Sequence, residues 1–343
     1  MSFWKSIFGT SQSKQDVIAE YEARQKSLQQ ELYGTPKDVT FHVTLWPAFP
    51  HFPRFAKDKR VQGIRLNSAM MQASEIDDKF YEQVQRATVP LWFDIKGMQL
   101  RIREMICGMD CDHLEFRLNR PIKVKTPCVV NFKGGEDAAE LLEVRDGTHL
   151  IFNRGPKYEV RVGESIHIRH PSLQVGGPVF LDYEIEKIEK IKADGFTRYY
   201  LSYVYDQRHV DEFRELIGPD ADLILKIENK EALEWVANKY KPQPKTHLMA
   251  ARGDLFVEVE YPHDILNACK LVVEKDPEAF VGSRMLLSCV TQSTPSCADF
   301  SDLAWLYEIG YRNFLLCDEL CLKDELLARA TNVFGAFRKS YHS

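Results

Sequence analysis

The chain has 343 residues, 44% hydrophobic and 28% charged, with 18 Gly and 16 Pro, which excludes the collagen-like, disordered and small disulfide-scaffold classes. Its 45 basic and 50 acidic residues leave a net charge of −5, and no lysine- or arginine-rich block occurs, so no nucleic-acid partner is expected. No apolar run reaches the roughly 18 residues of a membrane span, and the opening MSFWKSIFGTSQSKQD has no secretory-leader pattern. No membrane partner and a cytoplasmic location are therefore expected. The cysteines at 107, 111, 128, 269, 289, 297, 317 and 321 are scattered and read as reduced thiols. The C-x-x-x-C pairs Cys107/Cys111 and Cys317/Cys321 are spaced more loosely than zinc knuckles.

In chain order, residues 12–33 are polar and helix-prone, with Val17, Ile18, Tyr21, Leu28 and Leu32 on one stripe, predicting a helix on the main body. Strands are expected over 39–45, 61–67 and 90–97, with a Pro/Phe-rich loop after the first and a helix over 73–87. Between about 104 and 178 short alternating stretches are punctuated by Gly134, Gly135, Gly147, Gly155, Gly163, Gly176 and Gly177. This predicts a small all-β insert, with EDAAELLEV as a helical turn and His167 and His170 of HIRH as surface β residues.

From 179 onward helix and strand alternate: helices over 182–194, 206–217, 230–240, 262–275, 299–309 and 323–339, strands over 196–204, 222–228, 246–252, 278–283 and 312–316. Repeated βα units predict a parallel sheet. With the units before the insert the count approaches eight, favouring a closed (β/α)₈ barrel, α/β in class, with the insert leaving the third βα loop. The expected organisation is a helical segment at 1–35, barrel at 36–103, β domain at 104–178 and barrel again at 179–343.

Barrel chemistry sits at strand C-termini. The polar candidates there are Arg65 and Asn67, Asp94 and Lys96, Ser202, Lys226 and Glu228, Arg252, Gly253 and Asp254, and Ser283. Lys226 and Glu228 are i, i+2 and share a face. With Asp254 from the next strand they would hold one Mg²⁺ or Mn²⁺ through carboxylate oxygens, leaving room for a substrate oxyanion. Arg65 and Arg101 would offer planar forks to phosphate.

LKIENKEAL (225–233) followed by MAARGDLFVEV (249–259) resembles the KIEN…ARGDLG signature of pyruvate kinase. The stretches at 282–320, 196–206, 63–67 and 91–101 are similar to further family segments, and TLWPAF (44–49) to its TIGPAS. The resemblance implies a (β/α)₈ barrel of pyruvate-kinase type, with a β lid after the third strand, catalysing glycolytic transfer of phosphate from phosphoenolpyruvate to ADP. It implies that Glu228 and Asp254 hold the divalent cation that bridges the enolate and carboxylate oxygens. Lys226 would stabilise the phosphoryl group, while Arg65 and Arg101 match phosphate-contacting arginines. The backbone amides of Arg252, Gly253 and Asp254 would receive the carboxylate. Ser283 stands for a Thr implicated in protonating the enolate, Asn67 and Asp94 are half of a K⁺ site, and Pro47 is on the nucleotide side.

The departures bear on function. Ala69, Met70 and Ile95 replace residues that help bind K⁺ and nucleotide, LLCDEL puts Cys317 and Asp318 where the family has Ser and Gly, and Tyr205 replaces an Arg. The family's nucleotide-contacting lysine has no evident counterpart in the insert. Two alternatives follow: a metal-dependent lyase, aldolase or phosphoenolpyruvate-using enzyme acting on a keto acid, and a non-catalytic metabolite- or partner-binding relative. Members are usually oligomers of one chain, so self-association is a further expectation.

Overall fold

A computed structural model describes residues 39–108 and 111–341, together with Ala19. The helix expected over 12–33 otherwise lies outside the described residues. The strands in chain order are β1 (Thr40–Thr44), β2 (Gly63–Asn67), β3 (Leu91–Ile95), β4 (Ile102–Cys107), β5 (Glu115–Leu118), β6 (Ile122–Lys123), β7 (Cys128–Phe132) and β8 (Asp137–Arg145). They continue with β9 (His149–Phe152), β10 (Ile166–His167), β11 (Gln174–Val175), β12 (Arg198–Leu201), β13 (Asp222–Ile227), β14 (Thr246–Ala251), β15 (Phe280–Gly282) and β16 (Asn313–Leu315).

The first three strands and β12 to β16 close into an eight-stranded parallel barrel in chain order, with β16 back against β1. Helices Asp182–Ala193, Gln207–Ile217, Lys230–Asn238, Asp264–Lys275, Cys297–Glu308 and Asp324–Ser340 intervene or follow. Between β3 and the helix before β12, a six-stranded antiparallel sheet of order β10-β7-β8-β9-β5-β4 and a β6–β11 pair form the lid. The barrel-plus-insert architecture is the expected one. Lid and barrel have separate cores, the lid's built on Phe116, Phe132 and Phe152.

Several local expectations change. EDAAELLEV is not helical: Asp137–Arg145 is a strand paired with both β7 and β9, so sheet context overrides a helix-prone composition. Residues 73–87 hold only a 3₁₀ turn at Ala73–Glu75 and a helix over Asp78–Val84. Cys107 and Cys111 form a disulfide rather than two free thiols. No helix of the described residues is long and apolar enough to cross a membrane.

Strand residues alternate in facing, so the barrel interior is filled in layers two residues apart. The lower layer is aromatic: His42 lies against Trp92 and Phe280 with ring centroids at 5.7 and 5.0 Å, and Tyr200, Ile224 and Met249 complete it. Gly63 makes room here, because a Cβ would stand 2.5 Å from the His42 ring. Two residues further along the same strands come Thr44, Arg65, Asp94, Ser202 and Lys226, all buried.

The chain crosses between barrel and lid twice, and one side chain meets both crossings. Arg120, 0% exposed, donates from Nη2 to the Gly97 and Val179 carbonyls at 2.7 Å each, and from Nη1 to the Pro178 carbonyl. Glu184 accepts from the Gly97 and Leu181 amides at 3.0 and 3.1 Å and lies 3.4 Å from Arg120.

Candidate active site

The KIEN segment spans a strand end and a helix start. Lys226 and Glu228 extend inward from β13 and just beyond it, while the Asn229 side chain accepts from the Ala232 amide at 2.7 Å and caps helix Lys230–Asn238. Lys226 Nζ lies 2.8 Å from Glu228 Oε1 and donates to Ser202 Oγ at 2.8 Å. Ser202 in turn donates to Asp94 Oδ1 at 2.9 Å. Asp94 Oδ2 accepts from Arg65 Nε at 2.6 Å and Lys96 Nζ at 2.8 Å, with Lys226 Nζ at 3.7 Å.

These contacts set the charge states. Burial alone would raise the Asp94 carboxyl, but Lys226, Lys96 and Arg65 hold it well below the usual range. Burial brings the Lys96 ammonium down to about 7 against the pull of Asp94. Burial would lower Lys226, yet Asp94 and Glu228 keep it above an ordinary lysine. Burial raises Glu228 to about 7 despite Lys226, and nearby Asp254 adds to the rise.

After β14 the RGD segment opens the short helix Arg252–Glu258. Arg252 turns its side chain away from the cavity, pairing with both oxygens of Asp302 at 2.6 and 2.8 Å and donating to the Ser283 carbonyl at 3.0 Å. Asp254 accepts from Gln99 Nε2 at 3.2 Å, and Gln99 Oε1 accepts from Arg101 Nε at 2.9 Å. Beyond β15, Ser283, Arg284 and Leu286 all have left-handed backbone, with φ of 67°, 58° and 54°. Three non-glycine residues held there concentrate strain at one rim loop. Ser283 lies close over Gly253, where an added Cβ would stand 3.3 Å from its Oγ.

A cavity of about 550 Å³ beneath the lid is lined by Arg65, Asn67, Lys96, Arg101, Lys226, Glu228, Gly253, Asp254 and Ser283, within the usual range for ligand sites. Pro47, in the turn after β1, is not among its lining residues, and Asp94 lies just behind it. The lining also includes groups the sequence reading did not single out: Lys133 and Glu136 at a lid turn, Gln99, Arg284 and Glu319. The KGGED turn at 133–137 was the available signal for Lys133. Asp318 places Oδ1 2.7 Å from Arg65 Nη1 and Oδ2 3.4 Å from Asn67 Nδ2. His167, expected at a surface, is 1% exposed and lies against Asp254.

Among the described residues no group of three or more His, Cys, Asp or Glu is arranged around a metal position. The carboxylates of Glu228 and Asp254 nevertheless fit Mg²⁺ or Mn²⁺, which are commonly held by one or two carboxylates with the other positions left to water and substrate oxygens.

Fold and site define a class: a lidded (β/α)₈ barrel whose strand C-termini converge on a cavity lined by side chains of both charges. No family model matches the chain. It is similar to the pyruvate kinase of Methanocaldococcus jannaschii, 23% identical over 302 residues, 80% of this chain and 63% of that enzyme. A pyruvate kinase of Agrobacterium vitis is 37% identical over 111 residues, 30% of this chain and 22% of the relative. Plastidial pyruvate kinase 2 of Arabidopsis thaliana is 25% identical over 268 residues, 70% of this chain and 45% of the relative. The chain is a distant homologue of pyruvate kinases over most of its length. It spans less than two thirds of each of these relatives.

Proposed function

We propose that the chain is a pyruvate-kinase-like phosphotransferase, moving the phosphoryl group of phosphoenolpyruvate to ADP. One observation carries this reading: Lys226, Glu228, Asp254, Ser283, Arg65 and Arg101 line a single cavity closed by a lid that adds Lys133. A Mg²⁺ or Mn²⁺ ion at Glu228 and Asp254 would neutralise oxyanion charge on the substrate. Lys226, kept protonated by Asp94 and Glu228, supplies positive charge to the phosphoryl group as its bond to the enol oxygen breaks and one to an ADP oxygen forms. Arg65 and Arg101, fixed by Asp94 and Gln99, orient the phosphate. Ser283, held close to Gly253, would offer its hydroxyl for protonation of the enolate carbon that becomes pyruvate. Lys133 meets the nucleotide phosphates. Asp94 has its charge met by Arg65, Lys96 and Lys226, so the reaction is proposed to proceed without K⁺.

Asp318 favours a second reading. Its carboxylate occupies Arg65, which a phosphate would have to displace, whereas a keto acid handled by Glu228, Asp254 and Lys226 would not. That reading is a lyase or aldolase. Phosphoenolpyruvate-dependent ATP formation by the purified chain with Mg²⁺ or Mn²⁺, with and without K⁺, separates them. Turnover that disappears in Lys226→Met supports the phosphotransferase. No turnover, with metal-dependent exchange of pyruvate methyl protons, rejects it for the keto-acid reading, and silence in both assays points to a binding protein.

A further inference from the structure

His167 ends β10 inside the lid, yet its polar partners all belong to the barrel. Nδ1 lies 2.8 Å from Glu258 Oε1 and 3.0 Å from Tyr203 Oη. Nε2 lies 3.3 Å from Asp254 Oδ1 and has no other polar partner among the described residues. Asp254 and Glu258 are one turn apart on helix Arg252–Glu258.

The rest of the lid docks on the same helix and its flanks. Arg169 Nη1 donates to the Val257 carbonyl at 3.3 Å and Nη2 to that of Glu260 at 3.1 Å. Gly135 packs so closely on Val257 that an added Cβ would stand 3.2 Å from Cγ2, and Arg284 donates to the Gly134 carbonyl at 3.0 Å. Tyr203 links Glu228 to His167: its amide donates to Glu228 Oε2 at 2.8 Å while its hydroxyl lies 3.0 Å from His167 Nδ1.

We propose that His167 is a positioning residue coupling lid closure to cation occupancy at Glu228 and Asp254. This rests on the reading of those carboxylates as cation ligands. With the lid down, the imidazole limits the orientations open to the Asp254 carboxylate. With the lid raised, Asp254 loses that neighbour and regains rotational freedom, which must be lost again when an ion binds. Coupling of this kind is reciprocal: an ion that favours the closed-lid Asp254 holds the lid shut by the same factor.

The test is Mn²⁺ binding to the full chain, followed by the resonance of free Mn²⁺, with amide hydrogen exchange of residues 104–178 measured with and without Mn²⁺. The wild type is expected to bind Mn²⁺ and to gain lid protection on binding. His167→Gln should weaken Mn²⁺ about tenfold and lose the Mn²⁺-dependent protection of the lid while barrel protection stays intact. Glu258→Gln, which keeps His167 but removes its anionic partner, should shift both readouts in the same direction. If His167→Gln also loses barrel protection, Tyr203→Phe, which deletes only the hydroxyl, carries the comparison. Unchanged or tighter Mn²⁺ binding in the folded variants, or Mn²⁺-dependent lid protection that survives in them, overturns the coupling alone. A wild type that binds no Mn²⁺ overturns the cation site, and the coupling with it.

Discussion

The two layers inside the barrel are built on the same strands, two residues apart, and behave as different materials. The lower one, with Trp92, Tyr200, Met249 and Phe280 around His42, is apolar packing with one polar ring enclosed. The upper one, with Thr44, Arg65, Asp94, Ser202 and Lys226 and with Lys96 just above them, has almost no apolar content and is held by charge pairs and hydrogen bonds. Both layers are largely buried, so burial alone does not distinguish core from site. What differs is how each layer accommodates an ionisable group. Among the described residues the His42 ring meets the Tyr200 hydroxyl, 2.8 Å away, and burial pushes it down to about 3. Lys226 has two carboxylates and stays charged.

The largest effect should come from removing a charge in the upper layer. Lys226→Met is expected to lower turnover about 10³-fold or more and to cost about 3–5 kcal/mol of stability, because Glu228 and Asp94 lose a buried partner. Kinetics and denaturant melts on one preparation measure both. In the lower layer, Phe280→Ala should cost about 3–5 kcal/mol through its cavity and leave Mn²⁺ binding unaltered. A loss of Mn²⁺ affinity there would mean the layers are not independent.

A third prediction follows from His42. Its folded value lies below its unfolded one, so its stabilising effect is present above pH 6.5 and declines as pH falls toward about 3. Between pH 7 and 5 this amounts to about 2 kcal/mol. Melts of the wild type and His42→Leu at both values should differ in slope by that amount; parallel slopes would mean the ring protonates in place without penalty. The smallest effect concerns Asp318→Asn, which releases Arg65 and should tighten inorganic phosphate or phosphoenolpyruvate about tenfold, read by calorimetry. Weaker binding would make Asp318 a necessary support for Arg65.

The barrel was legible because its signals are local: each strand and helix carries its own period, and the sum of units fixes closure. The lid was legible as β from its glycines, though Asp137–Arg145 looked helical until its two neighbours were in place. Lys226, Glu228 and Asp254 stood out as charges at successive strand ends. His167 and Lys133 did not, because which lid residues face the barrel depends on how the lid sits and on no local pattern. Asp318 was visible as a departure, but its partner Arg65 is 253 residues away, beyond any periodicity.

Arg120 has a consequence for how this molecule can vary. It holds the two crossings through the carbonyls of Gly97, Pro178 and Val179, and every residue type offers the same carbonyl. The contacts to Pro178 and Val179 thus ask for a path rather than a side chain, whereas Gly97, with φ of 49° and the Ser202 carbonyl 2.9 Å from where a Cβ would stand, is held as glycine by its own geometry. Arg120 gathers both crossings through their carbonyls alone, and the contacts of His167, Arg169 and Gly134 fasten the lid to the barrel elsewhere.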